Sequence, residues 1–257
     1  MLPYIQIFSR SVPTYSIMAV IGLLMALTYL KISVKMHHPD LDADTELGFT
    51  YGLIGTFLGA KLLSILTVFP EFLSEISFLF TDTERFLEKY LYGGFVFYGG
   101  ILGAAFAVWL YAKLSKVCFW DLVCVLLPIM PLIHGIGRVG CFCMGCCYGK
   151  PSHILGIAFQ CSKIAPNGVP LLPVQLYEAL IEICLFVILA RLSVRKTAGS
   201  KMLGIYCSVY GVSRFCLEFF RGDSYRGFIG RLSISQIISL LLIAGGTILL
   251  LRRSKSE

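Results

Sequence analysis

The sequence predicts an all-α, polytopic membrane protein with about seven transmembrane helices, and three observations carry that prediction. Of 257 residues, 57% are hydrophobic and only 14% are charged, whereas soluble chains carry nearer a quarter charged residues. The mean hydropathy is +0.80. The apolar residues also fall in blocks of about 20, the length a helix needs to cross the hydrocarbon core. A soluble helical protein with a very apolar core is the alternative, but a chain this size would lack the polar surface to cover it.

In chain order the candidate spans are residues 13–30, 47–69, 93–112, 118–137, 174–190, 203–220 and 233–251. The first is long, is followed directly by Lys31 and lacks a small-residue cleavage site, so it reads as a retained span and not a signal peptide. Lys61 interrupts the second span and Arg214 the sixth. Residues 37–46 form a polar, acidic loop. Residues 72–91 mix apolar and charged positions at roughly helical spacing and predict an amphipathic helix lying at the interface. Residues 141–173, rich in Gly, Pro and Cys, break the helical period and predict an irregular excursion. With no repeat or separate soluble segment, residues 1–257 read as a single integral membrane domain.

The net charge of +7 is spread around the ends of the spans, which suits anionic membrane lipids and gives no basic face for nucleic acid. The densest basic runs are residues 191–201 and 252–255. Lys and Arg gather in cytoplasmic loops, so the N-terminus is expected outside and the C-terminus inside.

Charged groups inside spans need partners or a polar hollow. Tyr210, Arg214, Glu218 and Arg221 recur at steps of four, four and three and share one helix face. They form either a structural Arg214–Glu218 pair or an inward stripe that presents arginine to an anion. Arg138 lies among Gly135, Gly137 and Gly140, downstream of Pro128 and Pro131. That pattern fits a broken helix lining a cavity or an arginine reaching back to the head groups. Two arginines at one cavity suit a phosphate, whose oxygens their planar forks bind bidentately. Lys61 is a third buried cation, a ligand group or a snorkelling one. Gln175 and Glu178 open the fifth span as a helix cap or as part of the site. The doublets Gly93-Gly94 and Gly99-Gly100 either let helices approach closely or clear backbone for a ligand. His134 and His153 carry little weight as isolated histidines. Cys141, Cys143, Cys146 and Cys147 form a cluster readable as small residues in a tight turn, as a soft-metal site or as a disulfide.

The stretches GTFLGAK (55–61), GGFVFYGG (93–100), GRVGCF (137–142), PVQLYE (173–178), YGVSRFCLEFFR (210–221) and ISQI (234–237) run in an order and spacing that resemble the bacterial phosphatidylglycerol–prolipoprotein diacylglyceryl transferase family over almost the whole chain. The resemblance implies a seven-span fold around a lipid cavity open to the outer leaflet of the bacterial cell membrane. It implies transfer of the diacylglyceryl group of phosphatidylglycerol, or a similar anionic phospholipid, to the lipobox cysteine of a lipoprotein precursor, with glycerol phosphate leaving and no metal or organic cofactor. Arg138 and Arg214 match the family's essential arginines. With them, Tyr98, Tyr210 and Glu218 are the expected catalytic groups. Lys61, Gly99, Gly100, Cys141, Gln175, Glu178 and Arg221 are the expected substrate-binding groups. The chain departs from the family pattern at Tyr98, where the family has histidine, at Cys141 for asparagine, at Cys146 for an acidic residue and at Met18 for arginine. It also has a shorter segment before PVQLYE. A phenol is a poor base at neutral pH, so transfer to a different acceptor is one rival reading; buried charge also marks transport pathways, so non-enzymatic lipid binding or transport is the other.

Overall fold

A computed structural model of the chain describes residues 3–8, 10–223 and 227–252. Arg226, Arg253 and Lys255, three of the basic loop and tail residues, lie outside the described residues. The chain divides into two compact units, one of Met1–His38 with Val123–Glu257 and one of Pro39–Leu122.

The larger unit begins with an antiparallel hairpin, β1 (Tyr4–Ile7) with β2 (Arg10–Pro13), which sequence periodicity did not suggest. It feeds α1 (Thr14–His37). In the smaller unit, a 3-10 turn (Pro39–Leu41) leads into α2 (Asp42–Thr67). The expected single interfacial helix is three short ones, α3 (Phe69–Ser74), α4 (Phe78–Thr81) and α5 (Thr83–Leu87), ending in a π turn at Glu88–Tyr92. Pro70 lies in the first turn of α3, and the Asp82 side chain starts α5 by accepting from the backbone N–H of Arg85 at 3.3 Å. Lys89 holds the segment together through Glu71 at 2.6 Å and Glu75 at 2.8 Å.

Within this unit, α2 packs along α6 (Phe97–Ser115). Gly55 and Gly59 face Gly99 and Gly103 so closely that a Cβ on Gly55 would fall 2.6 Å from the Ala107 Cβ, and one on Gly99 would fall 2.6 Å from the Leu63 Cβ. Small residues supply the close backbone approach that drives helix association in lipid.

The smaller unit ends in the first turn of α7 (Phe119–Leu126), and α7 and α8 (Ile129–Met144) are two halves of a span broken at Pro128. After the excursion come α9 (Val174–Val194), α10 (Gly199–Glu218) and α11 (Ile234–Leu251). Neighbours pack in the series α1–α8–α9–α10–α11. Cys124, Leu127, Leu189 and Met202 form a buried core between α7, α9 and α10. Ser233 and Gln236 form a reciprocal capping box on α11 at 3.2 and 3.0 Å, which gives the ISQI stretch a structural purpose.

The excursion folds on its own small core of Phe159, Ala165 and Leu171. The pair β3 (Ile157–Ala158) with β4 (Pro170–Leu171) closes it, and β5 (Phe228–Ile229) pairs with β6 (Leu232–Ser233) ahead of α11. Lys150 N–H donates to the Phe220 carbonyl at 2.8 Å and Gly222 N–H to the Tyr148 carbonyl at 3.0 Å, so the excursion is stitched to the end of α10.

Among the described residues, five helical segments are long and apolar enough to cross a bilayer: Thr14–His37, Pro39–Thr67, Phe97–Ser115, Phe119–Met144 and Ile234–Leu251. The chain is an all-α polytopic membrane protein. The two other long helices, α9 and α10, are 21 and 20 residues but carry Glu178, Glu182, Arg191, Lys201, Arg214 and Glu218. The count of seven spans expected from sequence therefore rests, for these two, on length alone.

Gly59→Val drives a branched side chain into the α2–α6 crossing and should destabilise the protein by about 1–3 kcal/mol. Gly245→Ala, on α11 with nothing within 4 Å of a new Cβ, should be neutral or stabilising by up to about 1 kcal/mol. Thermal unfolding in detergent compares the two.

Candidate active site

The polar groups of the larger unit meet where α8, α9 and α10 pack. Four-residue spacing places each set: His134 and Arg138 on one face of α8, Glu178 and Glu182 on one face of α9, and Tyr206, Tyr210, Arg214 and Glu218 on one face of α10. Pro128 and Pro131 set the start of α8, and Gly135 lets it approach α9, since a Cβ there would lie 3.2 Å from the Ala179 carbonyl.

Glu178 is the hub. Its Oε1 lies 3.0 Å from Arg138 Nη2 and its Oε2 lies 3.4 Å from Arg214 Nη1, so one carboxylate joins guanidinium groups from two helices. Arg214 Nη2 also meets Glu218 Oε2 at 3.0 Å and donates to Ser235 Oγ at 3.2 Å. Thus Arg214 makes both the helical pair that spacing suggested and a cross-helix contact. Arg221 is held by a two-point contact with Asp223, Nε to Oδ1 at 3.0 Å and Nη2 to Oδ2 at 2.7 Å, and lies 4.0 Å from Glu218 Oε2.

His134 ties the second acid into the network. Its Nδ1 lies 2.7 Å from Glu182 Oε1, and its Nε2 accepts from Arg138 Nε at 3.2 Å. With Nε2 accepting, the proton belongs on Nδ1 and points at Glu182. The His134 ring also meets the Tyr210 ring edge-on at 5.6 Å, and Tyr210 stacks on Tyr206 at 5.8 Å. Glu178 is the member whose loss costs most, because it is the carboxylate that partners Arg138, and an uncompensated buried charge outweighs most single contacts.

Of the expected site residues, Arg138, Glu178, Tyr210, Arg214 and Glu218 come together in this network, with Arg221 at its edge. Gln175 braces it from α9: its Nε2 donates to the Cys146 carbonyl at 2.7 Å. Cys141 lies at the end of α8, and its Sγ, with those of Cys146 and Cys147, falls in a group all within 4.8 Å of one another. Hydrogen bonding among these thiols holds Cys147 well below the ordinary thiol range and pushes Cys146 above it, and Arg138 and Arg221 favour the Cys147 thiolate further. Lys61, Tyr98, Gly99 and Gly100 belong to the smaller unit. There Lys61 donates to the carbonyls of Gly93 and of Gly94 and lies 4.5 Å over the Phe95 ring, clamping the turn before α6. Gly99 packs on Gly59 and Gly100 on Thr56 in the α2–α6 crossing. Tyr98 is half-buried beside Phe97.

Sequence reasoning missed Glu182, Asp223 and Ser235 and gave His134 too little weight. One signal was available: Glu182 follows Glu178 by four in an otherwise apolar run, and both face the turn carrying His134 and Arg138.

Fold and site together define a polytopic helical membrane protein with a buried arginine–carboxylate network. The chain matches the family described as prolipoprotein diacylglyceryl transferase over residues 3–252. It is 35% identical over 245 residues to the phosphatidylglycerol–prolipoprotein diacylglyceryl transferase of Clostridium tetani, covering 94% of this chain and 93% of that one. It is 31% identical over 246 residues to phosphatidylglycerol–prolipoprotein diacylglyceryl transferase 2 of Clostridium perfringens, covering 95% and 92%. It is 34% identical over 233 residues to the transferase of the same name from Xanthomonas euvesicatoria, covering 82% and 76%. The chain belongs to the prolipoprotein diacylglyceryl transferase family.

Replacing Glu178 with alanine takes the carboxylate from buried Arg138 and leaves Arg214 with Glu218 alone, and should lower stability by about 3–5 kcal/mol. Glu178→Gln, which keeps an acceptor oxygen, should lower it less. Thermal unfolding of both variants measures the difference.

Proposed function

We propose that this chain transfers the diacylglyceryl group of phosphatidylglycerol to the thiol of a lipobox cysteine in a prolipoprotein. The sulfur–carbon bond forms as the bond from the glyceryl carbon to the phosphate oxygen breaks. The electron pair stays on the departing glycerol phosphate, and the thiol proton is released.

One observation carries the reading: Arg138 and Arg214, from separate helices, sit on opposite oxygens of the single Glu178 carboxylate. A site that positions two guanidinium groups around one anion is spaced for a phosphate, and each group has donors beyond those engaged here. In this reading Arg138 and Arg214 bind the lipid phosphate and stabilise the charge that grows on the leaving oxygen. Glu178 fixes their spacing. Glu218, Tyr210 and Arg221 hold Arg214's side of the site, and Gln175 and Cys141 shape its loop. Lys61, Gly99 and Gly100 contribute by building the smaller unit. The names of the family relatives support the same donor and acceptor. We read the chain as one multi-pass membrane domain with seven spans, its lipid cavity open to the outer leaflet, its N-terminus outside and its C-terminus cytoplasmic.

Purified protein given phosphatidylglycerol vesicles and a lipobox peptide should release glycerol phosphate and form a thioether-linked peptide. Arg138→Ala and Arg214→Ala should each slow both by about 10²–10³-fold, and Arg138→Lys should rescue little, because lysine lacks the planar fork. Wild-type release without lipidated peptide would point to a different acceptor; neither product would remove the transferase assignment. Tyr98 stands where the family has histidine, so Tyr98→His should raise the rate near neutral pH and introduce a rate dependence around pH 6–7, near about the ordinary histidine pKa of 6.5. A pH–rate profile of the two forms checks this.

A further inference from the structure

Where α8 ends, the backbone doubles back and gathers sulfur. Cys141 lies in the last turn of the helix. Gly145, with φ +77°, ends it, and the N–H groups of Gly145 and Cys146 both return to the Cys141 carbonyl, at 2.9 and 3.1 Å. Cys147 then takes the left-handed conformation at φ +58°, which residues with a Cβ seldom adopt. The result of this reversal is that three thiols, from Cys141, Cys146 and Cys147, lie within 4.8 Å of one another. Cys143, two residues from Cys141, is outside the group.

Three sulfurs bound to one zinc at about 2.3 Å stand roughly 3.8–4.0 Å apart. The observed sulfurs, all within 4.8 Å of one another, stand close to that spacing. Every cysteine is in the free thiol form, and the three converge as a group of three, whereas a disulfide would use two and leave the third aside. Cys141 is buried while Cys146 and Cys147 are half-buried, so the pocket has a wall and an entry. Arg138 stands three residues before Cys141 on α8 and Arg221 is bridged to Gly149, two residues after Cys147, so positive charge flanks the turn and offsets the negative charge that three thiolates concentrate around a d10 cation. Gln175, through the Cys146 carbonyl, keeps the turn in place.

We propose that Cys141, Cys146 and Cys147 form a three-thiolate site for a thiophilic d10 metal ion of the zinc class, whose fourth coordination position takes the acceptor thiol. The second half rests on the transferase reading. Soft thiolate ligands select such ions, and a thiol that coordinates one loses its proton and becomes a bound thiolate. Coordination would release the thiol proton to solvent. The sulfur would then bond to the glyceryl carbon as the carbon–oxygen bond to phosphate breaks. This supplies thiol activation next to the arginines, in a chain that carries tyrosine at position 98.

The test uses the purified full-length protein, reduced and free of oxygen, in detergent. Zn²⁺ competed against a chromophoric chelator should bind one per chain. Cd²⁺ should give a sulfur-to-metal charge-transfer band of three-thiolate intensity, rising toward four on addition of a lipobox peptide but not of its Cys→Ser analogue. Cys146→Ser and Cys147→Ser should each weaken Zn²⁺ binding at least tenfold and lower the band, whereas Cys143→Ser should change neither. No metal binding, binding unaffected by Cys146→Ser, or a disulfide among these cysteines in the anaerobic protein overturns the site. A three-thiolate band that ignores the peptide overturns the acceptor role alone. Because binding and the band are read without turnover, they stand or fall apart from the transferase assay.

Discussion

A single carboxylate shared by two guanidinium groups organises the larger unit. Glu178 is almost fully buried, and so is Arg214, and charges in such a place are tolerated only when each has a partner at hydrogen-bond distance. The bridge therefore dictates more than the site. It requires α8 and α10 to present their arginines to α9 from two sides, which requires the close α8–α9 approach at Gly135. The small core of the excursion and its hydrogen bonds to the end of α10 then place Arg221 and Asp223. If the helices slid past one another by one turn, the arginines would lose their common partner, so the polar cluster specifies the register of an otherwise apolar bundle.

The charge tally of the cluster bears on how it takes a ligand. Three guanidinium groups (Arg138, Arg214 and Arg221) face four carboxyl groups (Glu178, Glu182, Glu218 and Asp223). Such a site holds no surplus positive charge waiting for an anion. A phosphate entering it must share the guanidinium donors with Glu178, using N–H groups that the carboxylate leaves available. The arrangement trades raw affinity for preorganisation. In the proposed reaction the dipoles would already be aimed, and little reorganisation would remain for the moment when charge moves to the leaving oxygen. It also makes the fork geometry of arginine, and not merely its charge, the feature that matters.

Much of this was legible in the chain. Blocks of apolar residues located every long helix, because bilayer length leaves few other options, although α1 and α8 each run seven residues past the predicted ends, to His37 and Met144. The prolines at 128 and 131 foretold the break between α7 and α8, and the stripe put Tyr210, Arg214 and Glu218 on one face, whereas Arg221 lies past the end of α10, bridged to Gly149. What stayed hidden were relations across helices. Periodicity assigns Arg214 to Glu218, four residues away, but cannot say that Glu178, 36 residues earlier, is the shared partner. Glu182 was overlooked because a lone acid in an apolar span reads as an anomaly until its partner, His134, is known. The β1–β2 hairpin carries too few residues to show a period, and the 72–91 segment has helical spacing but breaks at Asp82, where a side chain competes for the backbone. Lys61 shows the same limit. Its charge is visible in the sequence, but that two carbonyls of the next turn accept it is not.

The departures from the family pattern gain a physical meaning once placed. Cys141 and Cys146 stand where the family has an amide and an acid, and together with Cys147 they fall on a single turn. Independent drift to cysteine would scatter sulfur around the loop with no shared centre. Here two left-handed backbone residues, Gly145 and Cys147, steer the chain so that the thiols meet beside Arg138, and Cys143, which serves no such geometry, lies apart. A non-glycine residue in that conformation persists only where the surroundings insist on it. The strained turn and the converging sulfurs are therefore one feature, and it begins on the same helix that carries Arg138, one of the two arginines proposed to bind the phosphate. Chemistry on a thiol and chemistry on a phosphate ester would share an edge there, as a reaction that moves a carbon from oxygen to sulfur requires.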